Sequence, residues 1–179
     1  MFISLSNEIV LIILVSSFVV LSSGCMSLED TFENSILSFN IPENWTVVDV
    51  TSTDSLVGLK PLGTNTTLID ITSTDVSPQS VVDNYLNNYP QEYPRFQVIT
   101  QESVTVDGEN GIKLVYKNTG RDDVLFTGPE YISSLITFSK YNQTYIIRSD
   151  EVLIDEYQSR VEPAMNTLAR SIKIKDNYQ

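Results

Sequence analysis

The chain has 179 residues, of which 41% are hydrophobic and 19% are charged, a balance typical of one folded globular domain. It carries 23 acidic residues against 11 basic ones, for a formal net charge of −12. A field of that sign repels phosphate backbones, so we expect no nucleic-acid partner.

The residue types that are absent remove many enzyme classes. The chain contains no histidine and a single cysteine, Cys25. Without histidine there is no Ser-His-Asp triad, no imidazole acid–base catalysis and almost no way to build a zinc or haem site. A single cysteine also excludes an internal disulfide. We therefore expect a protein that is not an enzyme and that holds no cofactor.

The first 24 residues have the pattern of a signal peptide. Residues 9–21 read IVLIILVSSFVVL, thirteen residues without a charge, fewer than the roughly 20 that a membrane-spanning helix needs. Small residues follow, and then Cys25. This stretch resembles a lipobox, the site at which prokaryotic lipoproteins are cut before a cysteine that is then lipid-modified, with the usual Leu displaced by one position to Leu21.

No Lys or Arg precedes the apolar run, so an uncleaved membrane anchor is the main alternative, and a buried or incidental thiol is a further one. The lipoprotein and the anchor interpretations both hold the remaining chain at the outer face of the cell membrane. We assign residues 1–24 to the signal peptide and 25–34 to the lipidated Cys25 and a short acidic tether. Residues 35–175 then form a single domain, and 176–179 a tail.

Short strands dominate the domain from Ser35 onward. The stretches ILSFNI, WTVVDV, LVGLKPL and TLIDITST are each bounded by Gly, Pro, Asn or Asp. After a helix come FQVITQESVTV and IKLVYKN around an Asp107-Gly108 turn, and then ISSLITFSKY and TYIIRSD around Asn142-Gln143. Short turns indicate antiparallel neighbours.

Two helices interrupt the strands. Ser77 caps the first and Pro78 takes its first position, and Pro90 is expected to end it. Tyr85, Tyr89 and Tyr93 recur every four residues, a spacing that favours core packing over a sugar-stacking platform. The second helix is expected to begin near Ser159, with Glu162 completing a capping box. The pattern predicts a strand-rich α+β domain whose strands pair in antiparallel fashion.

The order of these elements is similar to that of the PsbP-like, Mog-type family, especially its archaeal and bacterial lipoprotein members. The resemblance rests on LSFNIPENW, on the helix SVVDNYLNNY, on VTVDGENGIKLVY before ITFSKYNQTYIIRSD, and on the terminal ARSIKI. It implies an antiparallel β-sheet packed between helices, a PsbP-like α/β/α sandwich, that binds partner proteins. It transfers no catalytic residue, because the family shares no catalytic constellation.

The apolar residues from Asn118 to Tyr131 follow neither a helical nor a strand spacing, and loops of this length are often functional. We identify a candidate partner-binding site there, at Leu125 and Phe126 with the flanking charges Arg121, Asp122 and Asp123. A buried edge strand is the alternative interpretation of the same residues.

Other features carry weaker functional signals. Asp122 with Asp123, or Asp70 with Asp75, offers oxygen ligands of the kind that Ca²⁺ takes, but no Asp-x-Asp-x-Asp-Gly loop is present, so we expect no metal site. Three Asn-x-Thr sequons lie at expected turns and are possible N-glycosylation sites, at Asn44, Asn65 and Asn142.

We therefore expect a lipid-anchored, non-catalytic domain that binds or helps assemble an unknown envelope protein. The alternative is an extracytoplasmic small-molecule or cation-binding protein.

Overall fold

The computed structural model describes residues 30–49, 55–93, 95–119 and 129–176. Its contacts divide the chain between Asp30 and Thr31, and the folded unit starts at Thr31. The predicted domain bounds 35–175 stay a prediction, and the unit defined by contacts begins four residues earlier, at Thr31. A strand at Thr31–Glu33 pairs with Ser38–Asn40, and the Lys175 ammonium lies 2.7 Å from the Glu33 carboxylate.

The described residues form eleven strands. In chain order these are β1 (Thr31–Glu33), β2 (Leu37–Asn40), β3 (Trp45–Val48), β4 (Ser55–Pro61), β5 (Ile69–Thr74), β6 (Gln97–Val106), β7 (Glu109–Thr119), β8 (Glu130–Lys140), β9 (Gln143–Ser149), β10 (Val152–Leu153) and β11 (Lys173–Ile174). The main sheet has the order β3-β4-β5-β9-β8-β7-β6, with β10 paired to β8. A small sheet has the order β1-β2-β11, and every pairing in both sheets is antiparallel.

Helices cover the two faces of the main sheet. Helix α1 (Pro78–Glu92) lies on one face, where Val82 and Tyr85 pack against Leu114, Tyr116 and Leu135. The opposite face packs on the small sheet and on a helical segment made of α2 (Ile154–Glu156), a π-helical turn (Tyr157–Val161) and α3 (Glu162–Ser171). The α+β sandwich is therefore confirmed.

Helix α1 begins as the sequence predicts and ends later. The Ser77 hydroxyl accepts the Ser80 N–H at 3.2 Å, with Pro78 in the first turn. The expectation that Pro90 ends the helix was wrong, because the helix continues to Glu92. Proline in the final turn loses only one helical hydrogen bond, and the Tyr93 N–H still reaches the Tyr89 carbonyl at 2.8 Å.

The second helical segment begins at Ile154, five residues before the predicted start, so the predicted capping box was also wrong. The Ser159 hydroxyl lies inside the segment and donates to the Asp155 carbonyl at 2.6 Å. Pro163 has no N–H for the normal bond back to residue 159. The chain widens into a π turn just before it, where the Glu162 N–H donates to the Tyr157 carbonyl.

The two long hairpins turn through two residues each. Asp107 and Gly108 have φ of 51° and 83°, as the type I′ turns of tight hairpins require. In the last hairpin the turn residues are Tyr141 and Asn142, with φ of 50° and 61°, one position earlier than expected. Asn142 tolerates this left-handed backbone well, whereas tyrosine gives no such signal in a sequence.

Candidate functional site

The strand register defines two ends of the main sheet. At the Trp45 end, β3 begins, β4 stops at Pro61, β5 begins at Ile69 and β9 stops at Ser149. The first residues of β6 and the final turn of α1 lie at this end too. The Asp107 end carries the two hairpin turns.

Exposed apolar side chains concentrate at the Trp45 end. Seven large hydrophobic residues are exposed in the described part of the chain. Val76 and Tyr141 lie at the Asp107 end. The other five follow from the register to the Trp45 end and are Leu62, Val98, Ile99, Leu153 and Ile154. Clustered exposed apolar residues mark binding surfaces more often than scattered ones do.

A groove of about 560 Å³ opens at the same end. Its floor and walls come from the turn before β3, the turn after β4 and the helical segment, at Pro42, Glu43, Asn44, Trp45, Pro61, Leu62, Ser159, Arg160, Pro163, Ala164 and Thr167.

Two linked turns build the sheet side of the groove. The Trp45 N–H donates to the Pro42 carbonyl at 3.1 Å, which places Asn44 at φ 63°. The Leu62 N–H then donates to the Asn44 carbonyl at 2.8 Å. This bond joins the two turns and holds Leu62 at the groove with 60% of its surface exposed.

The helical side of the groove contains the π turn and the start of α3. Arg160 lies 3.7 Å from Glu156, in an exposed ion pair of i,i+4 spacing. Such pairs are worth only a few tenths of a kcal/mol, so the Arg160 guanidinium can turn to a bound acidic group at low cost. The groove thus combines apolar surface with one basic residue and one acidic residue, Glu43.

Acidic residues flank the apolar pair Leu153–Ile154. Asp150 and Glu151 precede the pair and Asp155 follows it, all three exposed. Among the ion pairs of the described residues, none includes these three carboxylates. This part of the Trp45 end is therefore both apolar and negatively charged.

The predicted tyrosine series is part of the core under α1. Tyr85 is buried and stacks on Tyr89 with a centroid distance of 4.7 Å. Tyr89 stacks in turn on Tyr93 at 5.3 Å and meets Tyr116 edge-on at 5.5 Å. Burial raises the pKa of Tyr89 to about 12, so its hydroxyl stays neutral near pH 7. Core packing of these tyrosines is confirmed for Tyr85, while Tyr89 and Tyr93 are half-buried.

Asp70, one of the candidate calcium ligands, forms a bidentate ion pair with Arg148. The guanidinium of Arg148 donates to the two carboxylate oxygens at 3.2 and 3.0 Å. Asp75 is exposed at the end of β5. Among the described residues no three His, Cys, Asp or Glu side chains come together as a metal site would require. No helix in the described part is long and apolar enough to cross a membrane.

Several predicted sites lie outside the described residues. These are the lipidation site Cys25 and the partner-binding residues Arg121, Asp122, Asp123, Leu125 and Phe126. The three sequon asparagines are exposed, with Asn44 and Asn142 both in left-handed turns and Asn65 after β4. Their placement at turns is confirmed, and their glycosylation stays a prediction.

Sequence reasoning missed the groove and the exposed residues around it. Leu62 was read as the end of a strand, although its place between Pro61 and Gly63 was a signal for a turn. Leu153 and Ile154 carried a weaker signal, an apolar pair between acidic residues. The groove itself needs the helical segment to pack beside β3, and no local pattern encodes that contact.

No family model and no curated protein matches the chain, but solved structures share its fold. It is similar to the cyanobacterial PsbP (CyanoP) of a Synechocystis species, with a TM-score of 0.54, 12% identity and coverage of 86% of this chain and 98% of that one. It is also similar to LpqN of Mycobacterium tuberculosis, described as involved in cell envelope biogenesis, with a TM-score of 0.53, 14% identity and coverage of 85% and 88%. At these identities the likeness concerns the fold, and the domain has a PsbP-like fold.

Proposed function

We propose that this protein is a non-catalytic lipoprotein on the outer, extracytoplasmic face of the cell membrane that binds, or helps assemble, an envelope protein through the Trp45 end of its sheet. The observation that carries the proposal is a groove lined by the exposed Leu62, with the exposed pair Leu153 and Ile154 at the same end of the domain. The described involvement of LpqN in cell envelope biogenesis supports an envelope role.

The chemistry of the surface favours a polypeptide partner with apolar and basic residues. Leu62 supplies an apolar anchor at the groove, and Leu153 with Ile154 supplies a second one. The exposed carboxylates of Asp150, Glu151 and Asp155 then attract Lys or Arg on the partner and steer it to this end. A small ligand would leave most of this spread surface uncovered.

Anchoring rests on the sequence alone. The small residues before Cys25 and the uncharged stretch ahead of it support lipid modification at that cysteine. Intact-mass measurement of the membrane-extracted protein tests this directly. A mature chain that starts at another residue, or that carries no lipid, contradicts the lipoprotein assignment and leaves the binding proposal standing.

The binding proposal is tested by crosslinking in native membranes followed by capture of the full chain. We expect one reproducible protein partner, and we expect Leu62→Asp with Leu153→Asp to abolish its capture. The matched control is Val76→Asp with Tyr141→Asp, which places the same charges on exposed apolar residues at the opposite end. Equal loss in both variants, or loss in neither, contradicts binding at the Trp45 end. Circular dichroism checks that each variant is folded.

The volume of the groove also keeps the small-molecule alternative open, since ligand sites typically measure about 300–1,000 Å³. A thermal-shift screen of the full chain against envelope-derived small molecules and cations separates the two. If Ser159→Phe, which places a ring on the exposed lining of the groove, removes a thermal shift while protein capture is unchanged, the site is a ligand site.

A further inference from the structure

The strand β6 forms an unusually long free edge of the main sheet. It runs for ten residues, from Gln97 to Val106, and is the last strand on its side. The opposite edge strand, β3, has only four. In the ranges that the structure describes, no strand pairs with the outer side of β6. Long open edges can accept another strand, because their backbone groups lack partners.

The hairpin turn determines which backbone groups of β6 point outward. In a two-residue turn the flanking residues, here Val106 and Glu109, form a hydrogen-bonded pair. Hydrogen-bonded and non-hydrogen-bonded pairs alternate along an antiparallel ladder. The N–H and C=O groups of Gln101, Ser103 and Thr105 therefore point away from β7. All three residues are exposed.

This part of the edge lacks the usual protections against strand pairing. Between Thr100 and Val106 there is no proline and no lysine, and the one ladder irregularity lies before it, between Val98 and Thr100. Its one charged side chain is Glu102, and the Lys113 ammonium on β7 lies 3.6 Å from that carboxylate. The edge is nearly neutral in a chain whose net charge is −12.

We propose that β6 pairs in antiparallel fashion with β6 of a second copy of this chain, which joins the two main sheets across a two-fold axis. With Ser103 opposite its own copy, Gln101 pairs with Thr105 on either side of the axis. All the outward backbone groups of these residues then find partners. Opposed Ser, Thr and Gln side chains also form favourable cross-strand pairs.

The single charge selects this register over its neighbour. With Ser103 on the axis, Glu102 lies opposite Val104 of the other copy. If Ser103 instead lies opposite Gln101, the two Glu102 carboxylates face each other directly, which is destabilising. Glu102 therefore disfavours this neighbouring register.

Cysteine crosslinking of the full chain in detergent tests the register. In the proposed dimer the two copies of residue 103 lie about 5.5 Å apart between Cα atoms, within the range that a disulfide spans. The two copies of residue 105 lie four residues apart along the ladder, about 14 Å. We expect Ser103→Cys to form a covalent dimer on mild oxidation, whereas Thr105→Cys and the parent chain with Cys25 stay at background. Equal crosslinking of Ser103→Cys and Thr105→Cys overturns the register.

Sedimentation equilibrium tests the dimer itself. Ser103→Pro removes an outward N–H without removing a bond to β7, so we expect loss of the dimer with an unchanged circular dichroism spectrum. A parent chain that is monomeric at all concentrations, or a Ser103→Pro variant that stays dimeric, overturns the proposal. If Ser103→Cys crosslinks in membranes only to a different protein, the edge accepts a foreign strand and pairing between copies is refuted.

Discussion

Asp107 offers the sharpest test of what holds the β6–β7 hairpin in place. Its side chain is only 7% exposed and accepts three hydrogen bonds from other elements. The ammonium groups of Lys140 and Lys173 lie at 2.7 and 3.0 Å, and the Ile174 N–H at 3.0 Å. One carboxylate thus ties the hairpin turn to β8 and to β11. We predict that Asp107→Asn destabilises the domain markedly.

The size of this destabilisation follows from how exposed each partner of Asp107 is. Lys173 is 63% exposed, so its ion pair contributes about 0–1 kcal/mol. Lys140 is 16% exposed, and its bond with the nearly buried carboxylate is worth about 1.5–3 kcal/mol. Asparagine keeps an acceptor and tolerates the φ of 51°, so we expect a loss of about 2 kcal/mol. Asp107→Ala also loses the acceptor and the local backbone preference, for about 3–4 kcal/mol.

Thermal unfolding of the full chain measures both variants. For a domain of this size, about 2 kcal/mol corresponds to a Tm lowered by roughly 4–8 °C. Glu109→Gln is the matched control, since Glu109 lies beside the same turn and takes part in none of the ion pairs among the described residues. A Tm for Asp107→Asn within about 1 °C of the control would refute the reasoning.

The pH dependence gives an independent check on Asp107. Burial opposes its charge, but the bonds from Lys140, Ile174 and Lys173 outweigh burial and lower the pKa of Asp107. A carboxylate with a lowered folded pKa contributes stability that is fully present above its unfolded pKa, near 3.9, and is lost as the pH falls through the folded pKa. We expect the stability difference between the parent chain and Asp107→Asn to shrink below about pH 4.

Three further predictions concern the core and the sheet edge. Gly111→Ala places a Cβ 2.8 Å from the Thr137 carbonyl oxygen on β8, so we expect a loss of about 1–3 kcal/mol in urea unfolding, and wild-type stability would contradict this close approach. Burial raises the pKa of Tyr89 to about 12, so the contribution of its neutral hydroxyl to stability is present below pH 10 and is lost as the pH rises through the folded pKa. Ultraviolet titration of Tyr89→Phe against the parent chain should show one tyrosine transition missing near pH 12. A transition missing near pH 10 instead would contradict burial of the hydroxyl. Two copies of a strongly acidic chain repel each other, so added salt should strengthen a β6–β6 dimer, and weakening by salt would contradict a neutral pairing edge.

Much of the fold is predictable from the sequence because its signals are local. Ser77 with Pro78 defines the start of α1 through one hydrogen bond and one fixed φ. Asp107 with Gly108 defines a hairpin turn through two positive φ angles. Each signal acts within four residues, and each predicts the structure that is observed.

The errors occur where a distant contact overrides a local signal. Ser159 and Glu162 have the spacing of a capping box in the sequence, but α2 begins five residues earlier and the helix continues through a π turn. Tyr157 and Val161 are buried in that turn against the sheet. Burial of these two side chains favours continuing the helix over capping it at Ser159. The groove was missed for the same reason, because one of its walls exists only once this segment is packed.

The two proposed surfaces lie at opposite edges of one sheet, and this has a consequence for binding. The groove borders β3 and β4, while the pairing edge is β6, six strand spacings or about 29 Å away across the sheet. A dimer joined through β6 therefore leaves both grooves open. If both proposals hold, a dimer presents two equivalent sites to a partner that is itself confined to the membrane, and the second binding event becomes intramolecular.

Such a bivalent arrangement strengthens retention without any new contact, by about 10²-fold or more where the geometry permits. We expect Ser103→Pro to lower the retention of a dimeric or clustered partner by about that factor, while the affinity of each groove for a monomeric partner fragment stays unchanged. Dissociation rates from immobilised partner at high and low surface density measure the two quantities separately. Equal dissociation rates for the parent chain and Ser103→Pro at high surface density would contradict bivalent binding, even if each groove binds the partner as proposed.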